Sequence, residues 1–293
     1  MVFCAKGLNG GLGTNINEMT LILGMRYDQG LVLIGDTKVM DGKNNFHHEN
    51  KIVNPVENVN VAVGCAGFTQ LAKEFNVKIN FQVQTRISQV RLANMRDLNG
   101  TGKSIEEIEE GKITNVTLPY AYKAIDFLDD CALLTAQLAA TGKVYDANPM
   151  ESLVIIGVGD MIELYQIDCN GFKVQVPYAS IGSGTMFIGD FLKKNYRDKM
   201  PLYDCILLGT FLIKYVETLE WDSNVGLEAG QLPQIFIISD NICKNYEIPK
   251  QDKDKILKEV QDRITNIRKN LLLFPNEIKL IEKPIWGKSK RPI

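Results

Sequence analysis

The chain has 293 residues, 45% of them hydrophobic and 23% charged, with a net charge of −2. That length suffices for one large domain or two ordinary ones, and the near-neutral balance excludes a global bias toward nucleic acid or anionic membrane. No apolar run reaches the roughly 18–20 residues that span a bilayer.

Residues 1–19 are polar and glycine-rich with no apolar core, so they do not read as a secretory signal. Their "GLNGGLGTN" resembles a dinucleotide-binding loop, yet no strand precedes it and no apolar-periodic helix follows, which predicts a flexible leader. From Thr20 to about Cys65 the pattern is β: "TLILGMR" and "GLVLIGD" flank "YDQ" as a hairpin, and "KIV" and "NVNVAVGCAG" form another pair. His47 and His48 are adjacent and cannot share one face, so they are expected in a loop and not in a metal site.

Leu71, Phe75 and Ile79 open a helix, and a second one is predicted from about Pro119 to Ala140. Between them "MRDLNGTGKSIEEIEEGKITN" carries the capping signature Ser104-x-x-Glu107 and reads as a helical surface insertion over about 90–117. Strands return in "SLVIIGVG", "MIELYQI" and "FKVQVPYASIG". Helices follow from about Thr185 to Lys194 and from Tyr203 to Leu219, and "PQIFIISD" is a last buried strand. The order β-β, α-α, β-β, α-α, β predicts an α+β fold with two sheets face to face between two helical layers, not single βαβ alternation.

Residues 241–293 differ in character. They hold thirteen lysines and arginines against seven acidic residues, a net of +6 that leaves the first 240 residues at −8. Leu257, Val260, Ile264, Ile267 and Leu271 make an apolar stripe, so one amphipathic helix is expected to dock on its own domain or on a neighbouring subunit. The basic tail "EKPIWGKSKRPI" reads as an extended arm.

Six scattered cysteines (Cys4, Cys65, Cys131, Cys169, Cys205, Cys243) without a Cys-x-x-Cys pair fit free thiols in a reducing cytoplasm. No cofactor or metal is expected. Two histidines leave little for a Ser-His-Asp or Cys-His mechanism. An N-terminal threonine needs none, because its hydroxyl is the nucleophile and its own α-amine, with an intrinsic pKa of about 7.7–8.0, takes the proton. A nearby lysine cation favours the neutral amine, and a carboxylate holds the lysine. Asp36 lies 16 positions after Thr20, across the predicted hairpin, and Lys51 begins the next strand.

"TLILGMRYDQGLVLIGDTKV", followed in order by "NKIV", "VAVGCAG" and "YASIGSGT", resembles the proteasome β-subunit family from Thr20 to about Asp240. The combination of Thr20, Gly24, Asp36 and Lys51 with a later Gly-Ser-Gly is more specific than any one motif. The resemblance implies an N-terminal nucleophile (Ntn) hydrolase domain over 20–240, built as a four-layer αββα sandwich and assembled into rings. Thr20 corresponds to the family's nucleophile, Asp36 to its lysine-orienting aspartate, and Lys51 to its active-site lysine, with the intervening loop one residue shorter than is common. Gly67 matches the oxyanion-hole glycine, Ser183 the serine near the terminal amine, and Asp222 the aspartate of a D-x-x-S element whose serine position is here Val225. Either Ser223 compensates for that serine or the hydrogen-bond network is thinner than is usual in the family. Cys65 stands where the family sets its side-chain pocket, and its small side chain implies an open one for bulky apolar residues.

The expected activity is therefore threonine-type hydrolysis of peptide bonds in unfolded polypeptide, with self-association or assembly with other proteasome-type subunits and an ATP-dependent unfoldase as implied partners. Two other readings stay open: a transpeptidase or ligase using the same acyl-enzyme, and a non-catalytic ring subunit. Thr20 acts only with a free amine, and the residue before it is Met19, where family propeptides usually end in glycine. Either Met19 is the true initiator, removed by methionine aminopeptidase, or residues 1–19 are a propeptide that the site itself cleaves.

Overall fold

The computed structural model describes residues 20–40, 46–55, 60–67, 69–99, 104, 121–144, 150–158, 161–219, 225–239 and 242–273. The leader, most of the insertion with Glu107, the pair Asp222 and Ser223, and the basic tail lie outside the described residues.

The fold is α+β, with antiparallel sheets and five helices among the described residues. Strands β1 (Ile22–Tyr27) and β2 (Gly30–Gly35) form the expected hairpin, with Ile22 opposite Gly35 and Tyr27 opposite Gly30. Strand β3 (Lys38–Met40) pairs with β4 (Phe46–His48) in a small separate sheet. Strands β5 (Ile52–Val53), β6 (Val61–Ala66), β7 (Glu151–Val158), β8 (Met161–Ile167) and β9 (Lys173–Gln175) make the second of two five-stranded sheets, in chain order. The other has the order β10-β1-β2-β11-β12, with β10 at Tyr178–Ile181, β11 at Gln234–Ser239 and β12 at Ile242–Asn245. The helices are α1 (Thr69–Leu98), α2 (Ala124–Val144), α3 (Thr185–Asn195), α4 (Leu202–Glu217) and α5 (Lys250–Leu273).

Three apolar clusters account for the packing among the described residues. Ile22, Leu33, Ala62, Leu153, Ile155, Leu164 and Phe236 fill the space where the two large sheets meet. On the opposite face of the first sheet, Leu23, Met25, Val32 and Ile34 meet Ile188, Phe211 and Leu212 from α3 and α4. On the outer face of the second, Val61, Val63, Val154 and Ile156 meet Phe75 and Ile79 of α1 and Phe127 and Leu134 of α2. The central strands are apolar on both faces because both are covered, which is why "TLILGMR" and "GLVLIGD" run almost without polar interruption. Burying one such side chain contributes ~1.5–3 kcal/mol.

Several expectations are corrected. His47 and His48 lie in β4 and not in a loop, held by pairing to Val39 and Lys38 and by Thr37 Oγ1 at 3.0 Å from His48 Nδ1. Helix α1 runs on to Leu98, into the stretch read as insertion, and α2 begins at Ala124. The first sheet continues past residue 240, where β12 pairs with β11. The stripe on α5 starts at Ile256, which is buried with Val260 and Ile264, whereas Leu257 is only half-buried. A straight helix turns 3.6 residues per turn, so its buried line drifts from a 3.5-residue spacing. The helix docks on α4, where the Lys255 ammonium sits 5.2 Å from the centre of the Tyr203 ring. No helix among the described residues is long and apolar enough to cross a membrane.

Candidate active site

The site forms where the β1–β2 hairpin opens. One residue beyond the Ile22–Gly35 pair, the Asp36 N–H donates to the Leu21 carbonyl at 3.0 Å. The Leu21 N–H in turn donates to Asp36 Oδ1 at 2.8 Å. The ladder thus ends in a carboxylate that occupies a strand partner's place, next to Thr20. The other oxygen, Oδ2, accepts from Lys51 Nζ at 2.8 Å, and the same ammonium donates to Thr20 Oγ1 at 3.3 Å.

All three groups are withdrawn from solvent. The Asp36 side chain is 0% and the Lys51 side chain 10% exposed, and Thr20 is 7% exposed. Burial pushes the Asp36 carboxyl above its ordinary range, against which the Lys51 cation and the Leu21 N–H pull it down. Both of its oxygens already accept hydrogen bonds, so the arrangement suits the ionised form. Because Lys51 donates to Thr20 Oγ1, the hydroxyl proton of Thr20 is free to pass to another acceptor.

Two glycines shape the floor. At Gly182 φ is +92°, and a Cβ there would stand 2.1 Å from the Thr20 carbonyl oxygen. Only glycine lets the β10–α3 loop close over Thr20, to which the Gly184 N–H donates at 3.3 Å. At Gly67, with φ +150°, a Cβ would stand 2.5 Å from Met150 Sδ. That residue follows Ala66 at the end of β6, and Ala66 Cβ lies 3.3 Å from where a Gly182 Cβ would be.

Thr20, Asp36 and Lys51 are thus brought together, and Gly67 and Ser183 flank them on adjoining loops. Ser183 Oγ is buried without a hydrogen-bond partner among the described residues. Cys65 is buried among Val63, Leu71 and Phe75 under the helices, where burial pushes its thiol up. Asp222 lies outside the described residues. Val225 is fully buried, and its Cγ2 stands 3.4 Å from where a Gly184 Cβ would be. Among the described residues no group of three His, Cys, Asp or Glu is placed to hold a metal ion.

Two polar residues beside the site went unread in the sequence. Gln234, 9% exposed, contacts the Lys51 and Ile52 backbone, and the one signal for it was an amide inside "PQIFIISD". Glu151 begins β7 opposite Ala66 and accepts from the Gly182 N–H at 3.4 Å. A charge heading an apolar strand was its only mark.

A family model described as proteasome subunit matches residues 130–230, from within α2 to the turn before β11. Ser183 and Asp222 fall inside that stretch, and Thr20, Asp36, Lys51 and Gly67 precede it. The chain is therefore similar to the proteasome subunit family, as its β-subunit-like motifs imply.

Proposed function

We propose that the chain is a threonine-type peptidase of the proteasome β-subunit kind, active once residues 1–19 are removed. The observation that carries the reading is the buried Asp36–Lys51 pair with the lysine aimed at Thr20 Oγ1. The three clusters, helices on sheet, sheet on sheet and sheet on helices, support a four-layer αββα Ntn arrangement.

While Thr20 is joined to Met19 its nitrogen is an amide without basic character, and the hydroxyl has no internal base. Cleavage frees an α-amine that the Lys51 cation keeps neutral. Thr20 Oγ then attacks a peptide carbonyl and the amine takes its proton. The Gly67 N–H supplies the oxyanion donor, placed where charge develops. Water releases the acyl group by the same route. The proposed substrate is extended, unfolded polypeptide that adds as a strand, with Cys65 at the position that sets the side-chain pocket in the family. The reading includes assembly with other subunits in a ring, an ATP-dependent unfoldase as supplier of substrate, and a cytoplasmic location.

A second reading, a non-catalytic ring subunit, rests on Val225 and Ser183. An apolar side chain fills the place of the family's serine, and the remaining serine hydroxyl has no partner among the described residues. N-terminal sequencing with labelling by a threonine-directed electrophile separates the two. The peptidase reading expects a chain beginning at Thr20, label on that residue, and complete loss of peptide hydrolysis in folded Thr20→Ala. An unlabelled chain still starting upstream overturns it.

A further inference from the structure

We propose that Gln234 is a positioning residue that sets the active-site lysine by acting as a surrogate strand along the open edge of β5. The inference rests on the peptidase reading for its catalytic consequence, and its geometry stands apart from it.

Among the described residues, strand β5 is the edge of its sheet and pairs with β6 through Ile52–Gly64 and Val53–Val63, with no strand on its other side. Gln234 fills that gap from the first residue of β11, in the opposite sheet. Its Oε1 accepts from the Lys51 N–H at 2.8 Å and from the Ile52 N–H at 2.9 Å, and its Nε2 donates to the Ile52 carbonyl at 2.7 Å. A second Nε2 bond, longer at 3.4 Å, runs to Asn245 Oδ1 on β12.

A primary amide offers two donors and two acceptor sites, and all four are engaged here. That set fixes which end is oxygen and which nitrogen, because reversing the amide would aim donors at the Lys51 and Ile52 N–H groups. The result imitates an antiparallel ladder, in which one residue's N–H and C=O face the same neighbour. It reaches the backbone of the residue whose ammonium bridges Asp36 and Thr20. Gln234 also lies opposite Gly35 on β2, one residue before Asp36. One side chain therefore ties the lysine and the strand that follows it to the end of the ladder next to its carboxylate, across the junction of the two sheets.

The consequence is kinetic. The Lys51 side chain is long and has rotamer freedom of its own, so its ammonium is placed only as well as its backbone is. Displacing a catalytic group by about 1 Å can cost on the order of 10²-fold in rate. Loss of the clamp is expected to lower kcat and leave KM nearly alone, since its four bonds end on the Lys51 and Ile52 backbone and on Asn245.

The test uses the full chain with Thr20 exposed as its N-terminus and two variants. Gln234→Met keeps length and removes all four bonds, and Gln234→Glu keeps the acceptors for both N–H groups and loses the donors. We expect folded Gln234→Met to lose at least about tenfold in kcat on a fluorogenic peptide with KM within about twofold, and Gln234→Glu to fall between it and wild type. The ¹⁵N resonance of Lys51 Nζ should move in Gln234→Met, and exchange of the Lys51 and Ile52 amides should quicken, well below the melting transition. A Gln234→Met protein with wild-type kcat and an unmoved Lys51 Nζ resonance overturns the inference and leaves the peptidase reading standing. If wild type neither cleaves nor takes the electrophile, the peptidase reading falls, and the Lys51 resonance and amide exchange still decide the clamp.

Discussion

Asp36 and Asp130 are both fully buried carboxylates held by a cation, and they are put to opposite uses. Asp130, on α2, accepts from Arg86 Nη2 at 2.7 Å and Gln82 Nε2 at 2.8 Å on one oxygen and from the Tyr122 hydroxyl at 3.1 Å on the other. Two of its donors, Gln82 and Arg86, come from α1 and the third, Tyr122, from just before α2, and the Arg86 side chain is 43% exposed, so the cluster staples two helices with its charge partly in water. Asp36 is held by the Leu21 and Gly226 backbone N–H groups and by one ammonium, and that ammonium, 10% exposed, has a further donor directed at a hydroxyl. A buried carboxylate surrounded by donors that end on it is a structural joint. One whose cation reaches onward to a nucleophile is a candidate for chemistry.

The same substitution at both positions separates the two roles most sharply. Asp36→Asn removes the charge that orients Lys51, and on the proposed peptidase reading peptide hydrolysis should fall at least about 10²-fold. Losing one partner of a buried pair should also cost about 3 kcal/mol of stability. Asp130→Asn turns an acceptor into a donor facing other donors, so it should cost about 2 kcal/mol and lower Tm by on the order of 4–8 °C. Its kcat/KM per folded molecule should equal wild type. Thermal melts with steady-state kinetics on both variants check this. Loss of activity in folded Asp130→Asn, or its retention in Asp36→Asn, would break the comparison.

What could be read from sequence follows how local each contact is. Thr20 and Asp36 are brought close because a tight hairpin pairs β1 with β2, and the two apolar runs on either side of "YDQ" announce it. Lys51 was placed by resemblance and by the strand after it. Gln234 was not placed, because it meets Lys51 across 183 positions of sequence and its role depends on which strand edges face each other. The strand β12 was missed because "ICKN" has little apolar character, and it exists through its pairing with β11. His47 and His48 were misread because a three-residue strand carries too little pattern to oppose the composition of a loop. Asp130 offered only a charge among apolar residues on α2, and its three partners come from 8, 44 and 48 positions away.

Glu151 extends the comparison to a carboxylate whose hydrogen-bond donor is an N–H. It faces the junction of the two sheets, on the same side of β7 as Leu153 and Ile155, and takes the Gly182 N–H at 3.4 Å. Burial is the largest influence and pushes its pKa up from 4.5; the Gly182 N–H opposes this, and Asp168, across β7–β8, adds to it. The sign follows from proton binding. Between 4.5 and the raised value the folded chain holds a proton that the unfolded chain has released, so stability falls as pH rises through that window and stays lower above it. Glu151→Gln keeps the acceptor and removes the ionisation. Its Tm should exceed that of wild type at pH 7 by on the order of 2 °C, and the difference should close below pH 4.5, where both states of wild type are protonated. Melting curves of the two proteins across that range measure it. An equal gap at low and neutral pH would mean that the amide stabilises by contact alone, and that Glu151 is charged in the fold at no cost.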